Sequence, residues 1–302
     1  MVNLNVDIAG VTLKNPVMPA SGTYEYTGMH NSIFPPDKLG AVVTKTIFIE
    51  PREGNKPPRI CETPCGMLNS IGIPTEGVDS FIKNNLPLLA GYGVPVIVSI
   101  AGDTIEDFCE IANIIEGTGK ADLLELNLSC PNLNHGIEWA RNKKQLYRII
   151  KKIKESTHIP IIAKLSPSVD DISEMALIAE SAGANAVALI NTYKGMKIDI
   201  GKRRPFLGNT AGGLSGPAVH PLAVYAIFST FKKISIPIVG IGGIASWKDA
   251  IEMILAGSAA VGVGMYNFVN PAVMGEVIEG IEHYLAENNF DCPADLIGLA
   301  HF

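Results

Sequence analysis

The stretch PVIVSIAGDTIEDFCEIANIIEGTGKADLLELNLSC (95–130) decides the fold. It opens on one apolar run, PVIVSIAG (95–102), and closes on another, LLELNLSC (123–130). Runs this apolar suit strands covered on both faces, as in a parallel sheet. Between them the period becomes helical: over 104–116, Ile105, Phe108, Ile111, Ala112 and Ile115 share one face. Asp103 is the expected N-cap of that helix, Glu106 can close a capping box, and Gly117 can end it.

Outward from this unit the pattern repeats. Further strand candidates are PVMPASG (16–22), AVVTKTI (41–47), PIIAKLSP (160–167), AVALIN (186–191), PIVGIGG (237–243) and AVGVGM (260–265). Segment 172–182 carries Ile172, Met175, Ile178, Ala179 and Ala182 on one face, with Asp171 and Glu174 at its start. Ser246 with Asp249 opens another helix, bearing Ile251, Ile254 and Leu255. Eight strand candidates, most followed by a helix, predict an α/β fold of the closed (β/α)8 type, the TIM barrel. The alternative is a doubly wound sheet, which usually shows a G-x-G-x-x-G turn after an early strand. Here the glycine clusters Gly240/Gly242/Gly243 and Gly262/Gly264 lie late. They follow candidate strands seven and eight, where barrels commonly bind phosphate, and neither completes that fingerprint.

Three strand-to-helix connections are long: 48–78, 131–143 and 192–220. Loops of this length in a compact domain are usually lids or binding loops. Residues 2–14 are expected to form a hairpin closing the barrel bottom. No composition break or linker divides the chain, so 1–302 reads as one domain with inserted active-site loops.

Of 302 residues, 47% are hydrophobic and 18% charged, a balance that excludes disorder as the main state. The net charge of -6 argues against a broad nucleic-acid surface. No stretch of about 18 apolar residues predicts a membrane span. The N-terminus lacks the basic and apolar regions of a signal peptide. Five cysteines, Cys61, Cys65, Cys109, Cys130 and Cys292, form no C-x-x-C. A reduced, soluble, cytoplasmic protein without a metal site is the expectation.

Polar residues sit where the strands end: Ser21, Lys45, Thr46, Ser99, Asn127, Ser129, Cys130, Lys164, Asn191 and Thr192. An unpaired polar group in a buried strand costs about 1–3 kcal/mol, so a polar residue at nearly every strand end points to a shared ligand. Cys130, in NLSCPN, stands at a strand terminus before a proline. A buried free cysteine is commonly inert, but a thiolate placed there could act as base or nucleophile. Lys164 and Lys45 sit within apolar strands, and each needs either a carboxylate partner or an anionic ligand. With the late glycines they make a phosphorylated, electron-rich cofactor attractive. The six histidines show no metal-like spacing; His135 and His220 read as structural or solvent-facing. Lys202, Arg203 and Arg204 read as a solvated loop face.

PASGTY (19–24), TKTI (44–47), PREGNKPPR (51–59), MLNSIGI (67–73), VSIAG (98–102) and NLSCPN (127–132) belong together. So do AKLSP (163–167), INTYKG (190–195), GGLSGPA (212–218), GIGGI (240–244) and VGVGMY (261–266). Over essentially its full length the chain resembles class 1 dihydroorotate dehydrogenases. The wording after Thr44 and at MLNSIGI looks most like the type 1B, NAD-linked catalytic subunit. The membrane-associated class 2 is disfavoured, because it uses serine as base and carries an N-terminal extension.

The resemblance implies oxidation of (S)-dihydroorotate to orotate in pyrimidine biosynthesis, with Cys130 as base and one bound FMN per chain as hydride acceptor. It places Ser21, Lys45, Thr46, Ser99, Asn127, Lys164, Ile190, Gly216, Gly242, Gly243, Gly264 and Met265 against FMN. It places Lys45, Asn69, Ser70, Ile71, Gly72, Ile73, Asn127, Asn191 and Thr192 against the substrate. An iron–sulfur flavoprotein subunit, carrying FAD and a two-iron two-sulfur cluster, would take the electrons to NAD. A homodimer of this chain within a heterotetramer is the implied assembly. A fumarate-dependent type 1A enzyme, a flavin barrel acting on another pyrimidine, and a catalytically silent binding subunit stay open. Two departures stand out. Met265 occupies a position where the family often has threonine, leaving contact to its backbone N–H, and HGIEWARN (135–142) replaces the usual glycine-rich, phenylalanine-containing lid.

Overall fold

The computed structural model describes residues 2–128 and 139–301. Seven predicted apolar runs contain a strand, and the eighth, 260–265, overlaps one that starts two residues earlier: Val17–Pro19, Val42–Val43, Val96–Ile100, Leu123–Asn127, Ile161–Lys164, Ala186–Leu189, Ile238–Ile241 and Ser258–Val263. These eight form one parallel sheet, in which successive strands of that series pair from Val42–Val43 round to Ser258–Val263, which pairs with Val17–Pro19. The ring closes between Val17–Pro19 and Val42–Val43 through Gly40 N–H donating to Val17 O (2.8 Å) and the Ser21 hydroxyl donating to Thr44 O (2.7 Å). The predicted (β/α)8 barrel is therefore the observed architecture, and the doubly wound alternative falls.

Alternation along each strand sorts the core into two parts. Val98, Ile100, Leu124, Leu126, Ala163 and Val187 belong to the large cluster containing the helix faces, where they meet Phe108, Ile111 and Ile150. Ile97, Leu123, Ile162, Ala186 and Val239 belong to a second cluster inside the barrel. Val6, Ile8 and Leu13 join that inner cluster. They come from the predicted N-terminal hairpin, Val6–Ile8 antiparallel to Val11–Leu13, so the hairpin plugs one end of the ring.

The helices follow their predicted faces with small shifts. Ile105–Glu116 is capped by Thr104 with Asp107 rather than by Asp103 with Glu106: the Thr104 hydroxyl accepts from Asp107 N–H, and Asp107 accepts from the N–H groups of Thr104 and Asp103. Both registers offer an oxygen acceptor and an acid three residues on, and both leave Phe108 facing inward; the Thr104 box is the one formed. Asp171 caps Ile172–Ser181, and Ser246 with Asp249 opens Trp247–Ala256, as predicted.

Two of the long connections differ from loops. Ile60–Thr63 and Gly66–Asn69 from the first, and Tyr193–Gly195 and Gly212–Ser215 from the last, make a four-stranded antiparallel sheet. These strands are short and their partners are distant in sequence, so no local alternation announces them. Lys202, Arg203 and Arg204 are exposed, as expected, beside the Ile198–Asp199 and Arg204–Pro205 pair.

The closing seam has no spare room. A Cβ on Gly40 would lie 2.1 Å from Asn15 O, while Asn15, 4% exposed, holds Lys38 O and Val17 N–H with its side-chain amide. Gly40→Ala should therefore lower stability by about 1–3 kcal/mol through overpacking. Urea unfolding should show a lower midpoint at unchanged slope; an unshifted midpoint would mean that the seam can yield.

Candidate active site

The strand ends bring predicted residues into one hydrogen-bonded chain inside the barrel. The Ser21 hydroxyl lies 3.3 Å from that of Thr46, and Thr46 lies 2.9 Å from Ser99. Ser99 donates to Glu125 Oε1 (2.9 Å), and Lys164 Nζ reaches the same oxygen at 3.4 Å. From Thr46 a branch runs upward: Asn127 Nδ2 donates to Thr46 Oγ1 (3.1 Å), and Asn191 Nδ2 donates to Asn127 Oδ1 (3.3 Å). Thr192 N–H in turn donates to Asn191 Oδ1 (2.8 Å). Alternation explains the assembly. Ser99 is two residues beyond Ile97, Glu125 and Asn127 lie two and four beyond Leu123, and Lys164 lies two beyond Ile162, so all continue the inward rows.

Lys164 and Glu125 are 7% and 4% exposed. The need for a carboxylate partner at Lys164, open in the sequence, is met by Glu125. Breaking such a pair by removing one member leaves an uncompensated buried charge, which costs about 3–5 kcal/mol. Glu125 was not picked out from the sequence. The signal was its position two before Asn127 in LLELN, an acid on the inward row of an otherwise apolar strand. Thr44 joins from the neighbouring strand: its hydroxyl accepts from Ser99 N–H (2.9 Å).

Lys45 stands differently. It keeps solvent access, and no carboxylate pairs with it among the described ion pairs. Burial first, and the Arg59 guanidinium second, lower its amine below the ordinary lysine value. An anion beside it would reverse that shift.

The antiparallel sheet delivers the remaining predicted substrate residues. Asn69 pairs with Gly213 across the sheet and donates from its amide to Gly213 O (3.3 Å). Gly213 in turn packs against Thr192. Asn69, Thr192, Asn191 and Asn127 are thus linked step by step. Ile71 O accepts from Asn55 N–H, and Gly72 and Ile73 take positive φ values of +79° and +48° in the turn that follows. Ser70 is engaged elsewhere: its hydroxyl accepts from Asn55 (2.9 Å) and Asn209 (3.3 Å).

The late glycines line the far side. Gly242 and Gly243 both have positive φ, +142° and +72°. A Cβ on Gly243 would sit 2.8 Å from Gly216 O, and one on Gly242 would sit 3.5 Å from Ile190 Cγ1. Met265 Cε packs against Gly216, and a Cβ on Gly264 would reach only Ala20, at 3.7 Å. Ile190, Gly216, Gly242, Gly243 and Met265 therefore form one neighbourhood beside the polar interior.

Cys130 and Ser129 lie outside the described residues, as do 135–138 of the divergent lid. Trp139 is buried, and Asn142 caps Lys143–Ser156 by accepting from Gln145 N–H. The four described cysteines make no disulfide, with Cys61 buried and Cys65 exposed. Among the described residues no cluster of metal ligands occurs, and no helix is long and apolar enough to cross a membrane.

The chain matches the family model for dihydroorotate dehydrogenase over residues 3–285. It is 46% identical over 298 residues to a protein of Thermoanaerobacter sp. (strain X514), covering 98% of both chains. It is 45% identical over 301 residues to one of Desulforudis audaxviator, covering 99% of this chain and 98% of the other. A protein of Geobacter sulfurreducens is 43% identical over 297 residues, covering 98% and 97%. All three are named dihydroorotate dehydrogenase B (NAD(+)), catalytic subunit. Kinship across almost the whole length, together with the barrel and its polar interior, places this chain in the dihydroorotate dehydrogenase family.

Proposed function

We propose that this chain oxidises dihydroorotate to orotate, the step that makes the pyrimidine ring aromatic in pyrimidine biosynthesis, as the catalytic subunit of an NAD-linked enzyme. The observation that carries the reading is the continuous set from Ser21 through Thr46, Ser99 and Glu125 to Lys164, with its branch to Asn127 and Asn191, in a chain 46% identical to such a subunit.

FMN fits the residues present. The Gly242–Gly243 turn, with Gly216 O too close to admit a side chain, leaves backbone exposed where a phosphate group can be cradled. Ser21, Thr46, Asn127 and Lys164 offer donors and acceptors to a heteroaromatic ring, Ser99, fully buried, backs them through Glu125 and Thr46, and Ile190, Gly264 and Met265 complete the wall. When bound, FMN would supply the acceptor for the hydride leaving C6 of dihydroorotate.

The protein's own groups do the rest. Cys130 takes the proton from C5 as the base. Asn191, whose amide donates to Asn127 Oδ1, and Asn127, which donates on to Thr46, keep their remaining donors and acceptors oriented for the imide and carboxylate of the substrate. Asn69, the 70–73 turn and Thr192 bound the same space. Lys45 supplies positive charge for the carboxylate. Lys164, held by Glu125, whose same oxygen accepts from Ser99, would place a cation where negative charge develops. An iron–sulfur flavoprotein partner bearing FAD and a two-iron two-sulfur cluster would carry the electrons on to NAD; the relatives' designation as catalytic subunits supports a partner. A cytoplasmic homodimer of this chain within a heterotetramer completes the proposal.

Anaerobic mixing with dihydroorotate should bleach the flavin band of the purified chain, and Cys130→Ser should retain flavin while losing most of that bleaching near neutral pH. A serine hydroxyl is a far weaker acid than a thiol of pKa about 8.5. No bleaching in the wild type would sink the activity, and wild-type rates in the variant would exclude Cys130 as base. The isolated chain should produce NADH slowly and gain speed when the iron–sulfur flavoprotein is added; efficient fumarate reduction would instead indicate a type 1A enzyme.

Lys45 yields a pH signature. Because its amine titrates below the ordinary lysine value of about 10.4, it begins to lose its charge before other lysines do as pH rises. Orotate affinity should therefore weaken at a pH below the usual lysine range, and orotate binding should take up protons there. Calorimetry in buffers of different ionisation enthalpy reads both. Affinity that stays flat to about pH 10 would remove Lys45 from the carboxylate site.

A further inference from the structure

His220 is not among the residues that the resemblance assigns to cofactor or substrate, and its sequence context suggested only a structural or exposed residue. The structure gives it a defined post. It is 8% exposed and opens the helix His220–Phe231 directly against the Gly242–Gly243 turn. Its Nδ1 lies 3.1 Å from Gly242 O. A carbonyl oxygen only accepts, so Nδ1 carries the hydrogen in that bond. On the other side of the ring, Nε2 faces Glu252 Oε2 at 3.1 Å and Asp249 Oδ1 at 3.8 Å, both from the helix Trp247–Ala256 that follows the turn. Cβ atoms built on Gly243 and Gly242 would lie 2.7 Å from His220 Cβ and from Ala223 Cβ respectively. The turn is therefore clamped from below by one helix and tied through the imidazole to the next.

We infer that His220 is a positioning residue for phosphate recognition: by holding the Gly242 carbonyl, it keeps the Gly242–Gly243 backbone in the shape that receives the phosphate of the flavin mononucleotide. The inference rests on the FMN reading above. It makes His220 specific for the phosphate end of the ligand, since the imidazole acts on the glycine turn and not on Ser21, Thr46, Ser99, Asn127 or Lys164. A carboxylate, like a carbonyl, only accepts, so Nε2 donates to Glu252 as Nδ1 donates to Gly242 O, and the carboxylate holds the ring from behind.

Riboflavin, which is FMN without its phosphate, separates this role from general support. The apoprotein is titrated with FMN and with riboflavin, following flavin fluorescence. His220→Ala should weaken FMN about tenfold, the effect of losing one well-placed buried hydrogen bond, and leave riboflavin affinity unchanged. Two isosteric variants sharpen the test and cover the chance that alanine unfolds the helix end. In His220→Asn the amide nitrogen replaces Nδ1 and can still hold Gly242 O, so FMN affinity should return toward wild type. In His220→Gln the amide nitrogen replaces Nε2 and serves Glu252, so FMN affinity should stay as low as in the alanine variant. Equal losses of FMN and riboflavin, unchanged FMN binding in His220→Ala, or equal behaviour of the asparagine and glutamine variants would each overturn the inference. A wild-type apoprotein that takes up no FMN would overturn the parent reading as well, whereas FMN binding indifferent to His220 would overturn this one alone.

Discussion

A lysine and a glutamate buried inside a barrel constrain everything around them. Lys164 and Glu125 sit at 3.4 Å on inward-facing positions of neighbouring strands, paired in register so that Asn127 stands opposite Lys164. Neither charge is tolerable there alone, because the desolvation of each exceeds what a single weak contact returns. The pair therefore recruits Ser99, Ser99 recruits Thr46 and Thr44, and Thr46 recruits Ser21 and Asn127. A buried ion pair is poor evidence of stability, since apolar residues of equal size commonly serve a fold as well or better. Its presence at the core of the polar network is better explained by a ligand that needs a fixed positive charge.

The barrel separates two duties along its axis. At one end, Ile97, Leu123, Ile162 and the plug residues Val6, Ile8 and Leu13 make an apolar floor. Two residues further along the same strands, the rows become Ser99, Glu125 and Lys164. The antiparallel sheet, built from the two long excursions, then brings Asn69 and Thr192 to the rim. Stability comes chiefly from the floor and from the helix-facing cluster, so the polar rows are free to serve chemistry. The glycine turns at Gly242–Gly243 complete the site from the late strands, held by His220.

Much of this was legible in the sequence, for identifiable reasons. The eight strands could be read because each is a mainly apolar run bounded by Gly, Pro or polar residues, and the polar residues at their ends could be read as convergent because strand ends of a barrel face one site. The type of helix was legible where the cap was unambiguous, as at Asp171 and Ser246, and slipped by one residue at Thr104, where two acids compete for the same job. The antiparallel sheet was not legible, because Gly66–Asn69 pairs with Gly212–Ser215 across nearly half of the chain and neither strand has its own pattern. Glu125 escaped notice because an acid in LLELN reads as a surface residue until the inward row is known. His220 escaped because its partners, Gly242 and Glu252, are brought to it only by the packing of two helices.

The central claim is that the interior charges are kept for a ligand and not for the fold. Replacing both partners by apolar residues of similar shape, Glu125→Leu with Lys164→Met, tests it directly through urea unfolding of the cofactor-free chain. The double variant should be at least as stable as the parent, in contrast to the loss of about 3–5 kcal/mol expected for removing either partner alone. A double variant as unstable as the single ones would contradict it, and would make the pair a structural necessity of this barrel.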